Sequence, residues 1–357
     1  MTFEPLPFLK SMISVSGLSG YETPIRDVLT PVWQELSDRT WVSSHGSLHA
    51  MRYGVGAGPR PKVMIAAHMD AIGLMVTGIE DGFLRITQVG GVDPRILPGQ
   101  MVIVHGTKGS QPVDLPAMVV MPPAHLLPKD GQKGPLPQKY LLVDTGLRPA
   151  EVEKHVRTGD VISFATEPRE LSGETISGHT LDNRASVAAT TIALDLLSRR
   201  KHLWDVIAVA TSQEEVGGIG AMGSSFDIMP DFAIVIDVTF AKGPGGGDTV
   251  LFDMGKTITL TWGSCDHPAL YDAKQATAEE YEIPVARDFA PSGAGTDAYD
   301  VQVAQAGIPV VEIGIPLRYM HTPVEVVSIK DIKRAGRLMA EFITDLPLDF
   351  MNTVRWE

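Results

Sequence analysis

Four short apolar runs occur along the chain, and a stretch with helical spacing comes before one of them. Residues 206–210 are apolar throughout and residues 232–238 are apolar except for Asp237, which is typical of strands buried on both faces of a sheet. Residues 62–67 and 309–315 have the same character. The stretch 183–199 has the spacing of a helix and comes directly before the 206–210 run. This alternation predicts an α/β domain.

Helices are also predicted at both ends of the chain. The first segment, about residues 8–36, has a helical pattern that breaks at residues 16–20, where serines and glycines occur. The last helix is predicted to begin at Ser328, because Ser328 and Asp331 resemble a capping box. The apolar residues that follow keep a helical spacing, which gives this helix one apolar face.

A different pattern occupies residues 71–164. Short β-like segments are separated there by turns rich in glycine and proline, and a proline-rich loop covers residues 122–137. The β-like segments are 73–76, 83–89, 100–104, 140–143 and 160–164. We therefore expect a discontinuous α/β domain formed by residues 1–70 and 165–357. A β-rich domain, residues 71–164, is inserted after the strand that runs into His68.

Composition and charge argue against several classes of function. The 357 residues are 44% hydrophobic and 20% charged, and the formal net charge is −13. A field of this sign repels nucleic acid and anionic membranes. Cys265 is the only cysteine, so no intrachain disulfide can form. Since the N-terminus lacks a signal-peptide pattern and no apolar run reaches about 20 residues, we expect a cytoplasmic protein without a membrane partner.

Acidic and histidine residues occur where the predicted strands end or where a helix begins. In open α/β sheets, binding sites form at the edge where the parallel strands end. The residues placed there are His68, Asp182, Glu214, Glu215, Asp237 and His321. Two imidazoles with carboxylates form a mixed nitrogen and oxygen ligand set that suits zinc, cobalt or manganese. Asp70, two residues after His68, is a candidate acceptor for the second ring N–H of that imidazole.

Each of these residues has an ordinary structural role open to it. His68 could be a buried structural histidine, and His321 an ordinary loop residue. Asp182 could cap a helix, Asp237 could lie in a turn, and the two glutamates could form a solvated loop. Asp70 could be a surface turn acid. Their shared placement at one sheet edge is what favours a joint site. Cys265 with His267 is a poor ligand set for a soft metal, and we interpret that pair as structural.

Several longer segments resemble family forty-two of the metallopeptidases, which are dinuclear-metal aminopeptidases, some of them named endoglucanases. The resemblance covers nearly the whole chain. Its segments are AAHMDAIGL at 66–74, VGGVDP at 89–94, VDTG at 143–146, LDNR at 181–184, QEEVG at 213–217, GTDA at 295–298 and IPLRYMHTP at 315–323. It implies a zinc-exopeptidase-like three-layer α/β/α catalytic domain with an inserted, β-barrel-like dimerisation domain.

The resemblance also implies roles for individual residues. Asp182 would bridge two divalent ions, zinc or cobalt and possibly manganese. His68 and Asp237 would complete one ion's site, and Glu215 and His321 the other. Glu214 would be the general base, and Asp70 the partner of His68. The implied partners are peptides with a free N-terminus and further copies of the chain, in a dodecamer built from dimers.

Four positions depart from the family pattern without removing an implied ligand. Ala71 stands where the family usually has Glu, Asn183 where it has Asp, and Ser186 where it has Gly. The segment 237–242 lacks the usual Asp-Thr-Pro-Gly ending. These departures bear on metal preference and on the substrate pocket, to which we expect residues 289–297 to contribute.

Three other functions remain open at this point. A metal-dependent carboxypeptidase or deacylase uses a similar ligand order, but its inserted domain usually follows the later ligands, whereas here the insertion separates Asp70 from Asp182. An endoglucanase needs two carboxylates and no metal, so its site would leave the histidines without a role. A non-enzymatic metal-binding scaffold is the third alternative.

Overall fold

The computed structural model describes residues 3–56, 58–127, 137–244, 250–293 and 295–356. The helices, in chain order, are α1 Pro5–Ile13, α2 Thr23–Leu36, α3 Pro149–His155, α4 Leu181–Leu197, α5 Ile219–Ile228, α6 Pro268–Glu280, α7 Asp297–Gln302 and α8 Ile329–Asp345. The strands are β1 Arg39–Val42, β2 Leu48–Arg52, β3 Lys62–His68, β4 Gly73–Glu80, β5 Phe83–Val89, β6 Met101–Lys108, β7 Gln111–Val120, β8 Leu142–Asp144, β9 Val161–Phe164, β10 Arg169–Leu171, β11 Thr175–Gly178, β12 Asp205–Thr211, β13 Phe232–Phe240, β14 Ile258–Gly263, β15 Val285–Ala290, β16 Val310–Arg318 and β17 Glu325–Ser328.

One large mixed sheet forms the centre of the α/β part. Its strand order is β1-β2-β12-β3-β13-β16-β17-β11-β10, with β14 paired to β16 and β15 paired to β14. The four central strands β12, β3, β13 and β16 run parallel to one another. They are the four strands predicted from apolar runs, and their carboxyl ends meet at one edge of the sheet.

Helices cover both faces of this sheet. In β3, the side chains of Val63, Ile65 and Ala67 pack into a core with α1, α2, α4, α6 and α8. Met64 and Ala66, which alternate with them, face a second core with α5 and α7. Because successive strand residues point to opposite faces, a continuous apolar run is required to bury both. The α/β/α layering is therefore confirmed.

The inserted segment forms a closed barrel. Within the described residues, its strand order is β4-β5-β8-β7-β6-β9, and all pairs are antiparallel. The barrel has its own apolar core, to which α3 contributes Val152. The predicted β segments appear here, but β7 was not predicted, because Pro112 and Pro116 lower the strand signal. Of the proline-rich loop, residues 128–136 lie outside the described residues.

Two helix starts differ in detail from their predicted form. Ser328 does cap α8, accepting a hydrogen bond from the Lys330 N–H. The Asp331 carboxylate accepts from the Gly255 N–H and pairs with Arg334, so the predicted capping box is wrong in its second half. Helix α4 begins at Leu181, two residues before the predicted start, and its first turn contains a cis peptide between Asp182 and Asn183. In the described ranges, no helix combines the length and apolarity needed to cross a membrane.

Candidate metal centre

The carboxyl edge of the parallel strands brings the predicted acidic and histidine residues together. His68 is the last residue of β3, and Asp237 lies in the second half of β13. Glu214 and Glu215 follow the end of β12, and His321 follows the end of β16. Helix α4 supplies Asp182 from its irregular first turn. These positions come from separate parts of the chain, and the parallel register aligns their strand ends.

Asp182 lies between the two imidazoles. Its Oδ1 atom is 3.2 Å from His68 Nε2, and its Oδ2 atom is 3.4 Å from His321 Nε2. The two oxygens of one carboxylate thus face different histidines. This is the arrangement expected of a carboxylate that joins two neighbouring cation sites.

The remaining acids lie around the same two histidines. His68 Nε2 is 3.7 Å from Glu214 Oε2 and 3.8 Å from Asp237 Oδ1. His321 Nε2 is 3.6 Å from Glu215 Oε2. Ligand atoms of His68, Glu214 and Asp237 lie within 4.8 Å of one another, and so do those of His68, Asp182 and Glu215. The structure therefore brings all six residues into one cluster.

The donor chemistry of this cluster fits divalent cations. Asp182, Glu214, Glu215 and Asp237 concentrate four carboxylates around two imidazoles. Like charges at this spacing repel, and burial penalises each of them further. Two divalent cations carry the charge that balances four carboxylates, and oxygen with imidazole nitrogen is a ligand set of zinc and its neighbours.

The titration of the cluster reflects the same crowding. Burial, with the neighbouring Asp182 charge, raises the pKa of Glu215 to about 8. Burial also raises the pKa of Asp237 well above its usual value. A hydrogen bond to Asp182 is the largest contribution to the pKa of His321, which rises to about 9. Burial and neighbouring negative charge thus disfavour the ionised form of these carboxylates, and a bound cation would relieve that penalty.

Asp70 supports the site in more ways than the sequence predicts. It is 0% exposed, and its Oδ1 atom lies 3.6 Å from His68 Nδ1. The carbonyl oxygen of Asp70 is closer to that nitrogen, at 3.2 Å. The carboxylate accepts hydrogen bonds from the backbone N–H groups of Glu214 (3.0 Å) and Glu215 (3.2 Å), and from the Ser19 hydroxyl (2.6 Å). It therefore holds the main chain of the acid pair as well as lying beside His68.

Comparison with known proteins agrees with this geometry. A family model described as M42 glutamyl aminopeptidase matches residues 46–338. The chain belongs to this family. A lysyl aminopeptidase from Pyrococcus furiosus is 33% identical over 96% of this chain and 98% of its own length. An aminopeptidase from the archaeon Desulfurococcus kamchatkensis superposes with a TM-score of 0.91 at 32% identity, covering 99% of this chain and 98% of its own. The Pyrococcus horikoshii TET1 peptidase, which assembles into a tetrahedron or a large octahedral shell, has a TM-score of 0.81 at 27% identity and covers 96% of this chain and 100% of its own.

Membership of the M42 family makes the chain a hydrolase of the aminopeptidase type. The family resemblance drawn from the motifs is thus confirmed, and so is the α/β/α fold with its barrel. The individual roles of the site residues stay predictions, which the distances above make specific.

Glu325 is a buried M42 site residue that the sequence analysis missed. Its Oε2 atom accepts a hydrogen bond from the Asp182 N–H, and its Oε1 atom accepts from the His321 N–H, both at 3.1 Å. It thereby connects the two segments that carry these ligands, much as Asp70 holds the Glu214 segment. Its position four residues after His321, at the start of a strand, was the available signal.

Arg184 is the second missed residue, and it follows Asn183 in the LDNR motif. It is 0% exposed, and its guanidinium donates to the carbonyl oxygens of Met12, Val15 and Met69. Burial lowers its pKa to about 9, which the charges of Asp70 and Glu325 oppose. A charged group in the protein interior needs such partners. Arg184 thus fixes the end of α1 against the chain beside His68.

Two departures from the M42 pattern are accommodated locally. The Asn183 amide donates to the carbonyl oxygen of Ile236, next to Asp237 on β13. Ala71 is buried, and its carbonyl accepts a hydrogen bond from the Ser19 N–H.

The barrel also contributes a wall to the M42 site. Gly90 and Gly91 follow β5, and a Cβ atom on Gly91 would lie 2.8 Å from His321 Nδ1. A Cβ on Gly90 would lie 3.4 Å from Glu215 Oε2. Backbone therefore approaches the cluster where a side chain would collide with it.

Gly91→Ala is expected to displace His321, because the added methyl occupies the space beside its imidazole. We expect the amount of metal retained after dialysis and kcat/KM each to fall by about 10-fold or more, the range seen when a metal ligand loses its orientation. Elemental analysis and steady-state kinetics measure the two quantities. Gly78→Ala is the matched control, because no heavy atom lies within 4 Å of its added Cβ. Equal behaviour of the two variants would contradict this role of Gly91.

Proposed function

We propose that the chain is a dinuclear metal-dependent aminopeptidase that removes N-terminal residues from peptides. The observation that supports this most strongly is the placement of Asp182, whose two oxygens face His68 and His321. Asp182 would be the shared ligand, His68 and Asp237 would hold one ion, and Glu215 and His321 the other. Zinc or cobalt suits this set best, and manganese is a third compatible ion.

Two bound divalent ions would supply Lewis acidity, which polarises a carbonyl group and makes water a better nucleophile at neutral pH. In the proposed reaction, the Oε2 atom of Glu214 accepts a proton from the attacking water and delivers it to the leaving nitrogen. The water oxygen bonds to the carbonyl carbon as the C=O π bond opens, and the C–N bond breaks when that π bond re-forms, so the products are a free amino acid and a shortened peptide. Asp70 keeps Glu214 in position through its backbone N–H.

Members of the family are named for removing different N-terminal residues. The family model is described as glutamyl, whereas the Pyrococcus furiosus relative is a lysyl aminopeptidase. The preferred N-terminal residue therefore has to be inferred from this chain's own side chains.

A panel of substrates tests the proposed reaction. Enzyme stripped of metal is expected to lose more than about 100-fold in rate on aminoacyl-p-nitroanilides, and refilling with zinc or cobalt is expected to restore it. The same p-nitroanilides with an acetylated α-amine are the matched control and should not be cleaved. Cleavage of the blocked peptides would favour a carboxypeptidase or deacylase, and chelator-resistant cleavage of a β-glucan would favour a glycosidase. Binding of metal without any cleavage would indicate a scaffold.

We further infer that copies of the chain assemble into a dodecamer built from dimers, with residues 71–164 as the dimerisation domain. The support is the similarity to the TET1 peptidase, which forms a tetrahedral particle. Light scattering on the enzyme used for the assays measures its mass in solution, which should be that of twelve chains.

A further inference from the structure

A cavity of about 420 Å³ has Asp237 of the metal cluster in its lining. Strands β13, β14, β15 and β16 supply most of its walls. The apolar part of the lining includes Phe240, Phe289, Ile313 and Met320. In an aminopeptidase substrate, the first residue has both its amine and its scissile carbonyl at the metal centre. Its side chain is therefore the one that can reach this cavity.

Besides Asp237, two carboxylates lie within this lining, which also includes three threonines. Glu312 on β16 and Asp288 on β15 both face the cavity. A third acid, Asp266, lies behind them and accepts a hydrogen bond from the Glu312 N–H at 2.9 Å. Among the described residues that line the cavity, no lysine, arginine or histidine occurs. The electrostatic environment of the cavity is therefore acidic, which attracts a cation and repels an acidic side chain.

One oxygen of the buried Glu312 carboxylate lacks a hydrogen-bond donor among the described residues. Its side chain is 3% exposed, and its Oε2 atom accepts a hydrogen bond from the Thr296 hydroxyl at 2.8 Å. Within the described part of the chain, no donor reaches its Oε1 atom. A buried acceptor without a donor is destabilising, and the penalty is larger for a carboxylate. The ammonium group of a lysine side chain offers three donors, and an arginine guanidinium offers five.

A buried cation of the protein, Lys274, is not among the groups that act on the Glu312 carboxylate. Lys274 lies behind the cavity wall, where Asp266 is the acid that acts on it, and burial lowers its pKa to about 7. Burial, together with the charges of Asp266 and Asp288, raises the pKa of Glu312 to about 8. A cation that enters the cavity would relieve the repulsion between these acids, whereas a carboxylate that enters it would increase the repulsion.

We propose that this cavity is the S1 pocket and that it selects peptides whose first residue is lysine or arginine, with Glu312 as the principal specificity residue and Asp288 as a second one. The inference rests on the proposed aminopeptidase function and adds the class of residue that is removed. A neutral amide side chain such as glutamine could also bond to Glu312, and the experiment below includes it as a competing outcome.

The test uses metal-loaded enzyme with a panel of aminoacyl-p-nitroanilides. Lysine is compared with norleucine, which has the same carbon chain without the ammonium group, and with arginine, leucine, glutamine and glutamate. We expect kcat/KM for lysine and arginine to exceed that for norleucine and leucine by about 10-fold or more, as a charged hydrogen bond allows. The glutamate substrate should be the poorest. Inhibition by free lysine and by free norleucine provides a second measurement, and lysine should bind more tightly.

Glu312→Gln separates charge from shape. This variant keeps the side-chain volume and an acceptor for Thr296, so the advantage of lysine over norleucine should fall by about 10-fold or more, because only the lysine substrate loses a charged partner. Asp288→Asn should reduce the same advantage to a smaller extent, and it serves if Glu312→Gln folds poorly. Asp253→Asn, which removes an exposed carboxylate paired with Lys242, is the matched control for net charge.

The outcomes distinguish this inference from the proposed function. If no aminoacyl substrate is cleaved at all, the aminopeptidase assignment is wrong. The pocket assignment is overturned if the leucine, glutamine or glutamate substrate is cleaved with the same kcat/KM as the lysine substrate. It is also overturned if Glu312→Gln retains the full advantage of lysine over norleucine. In both cases the aminopeptidase assignment remains valid.

Discussion

Glu214→Gln is expected to retain both metal ions while kcat falls by at least about 100-fold, the low end of general-base contributions. The neutral amide keeps the size of the side chain but cannot accept a proton from water. Elemental analysis of the dialysed protein measures the metal content, and steady-state kinetics measure kcat.

Glu215→Gln provides the comparison within the same pair of residues. Its carboxylate lies 3.6 Å from His321 Nε2 and is assigned to an ion, so the variant should retain less than two ions per chain. Because Asp70 holds the backbone of both glutamates, the two substitutions act through side chains on one fixed segment. The two variants should therefore separate metal binding from proton transfer.

The structure makes this comparison decisive. Glu214 Oε2 is 3.7 Å from His68 Nε2, which is close enough for a ligand role as well. Loss of a metal from Glu214→Gln, with both ions retained in Glu215→Gln, would reverse the two assignments. Full activity in Glu214→Gln would exclude it as the base.

Asp182→Asn is expected to abolish the paired site. Its two carboxylate oxygens face different histidines, and an amide offers only one oxygen to the two ions. We expect the metal content to fall to one ion or fewer and kcat to fall by more than about 100-fold, beyond the effect usual for a residue that only orients a ligand. Calorimetric titration with zinc measures the stoichiometry and the affinity of metal binding.

Asp195→Asn is the control for this substitution, since it removes another mostly buried carboxylate from the same helix. Asp195 pairs with Arg199 in the last part of α4, far along the helix from Asp182. Circular dichroism on both variants distinguishes a lost site from a lost fold. Two ions bound with unchanged affinity in Asp182→Asn would show that this residue is not shared.

The elements of the fold that come from apolar patterning were predictable from the sequence. The four central strands are buried on both faces, so their runs are continuous and give a strong signal. Strand β7 was missed for the opposite reason, because its prolines weaken a strand that exists through pairing with β6 and β8. Strands β1 and β2 were also missed, since they are short and β1 lies at the sheet edge.

The ligand residues could be placed on one edge because parallel strands end together. The supporting residues could not, since their roles depend on which backbone groups face them. Glu325 binds the Asp182 N–H and Arg184 binds the Met12 carbonyl, both more than 100 residues away in the chain, and no spacing in the sequence encodes those two contacts. The cavity beside Asp237 shows the same limit: residues 289–297 were expected to contribute to a substrate pocket, but Glu312 lies on β16 and was not considered.

Asp70 and Glu325 accept hydrogen bonds from main-chain N–H groups, so the site contains two kinds of residue. Under the proposed assignment, one kind would present atoms to a cation, and the other fixes the main chain that carries those atoms. A protein engineer could therefore exchange Glu215 or Asp237 for a softer or harder donor, to change the preferred ion, without redesigning the loops. Changes at Asp70 or Glu325 would not offer that freedom, because they alter the scaffold on which every such exchange depends.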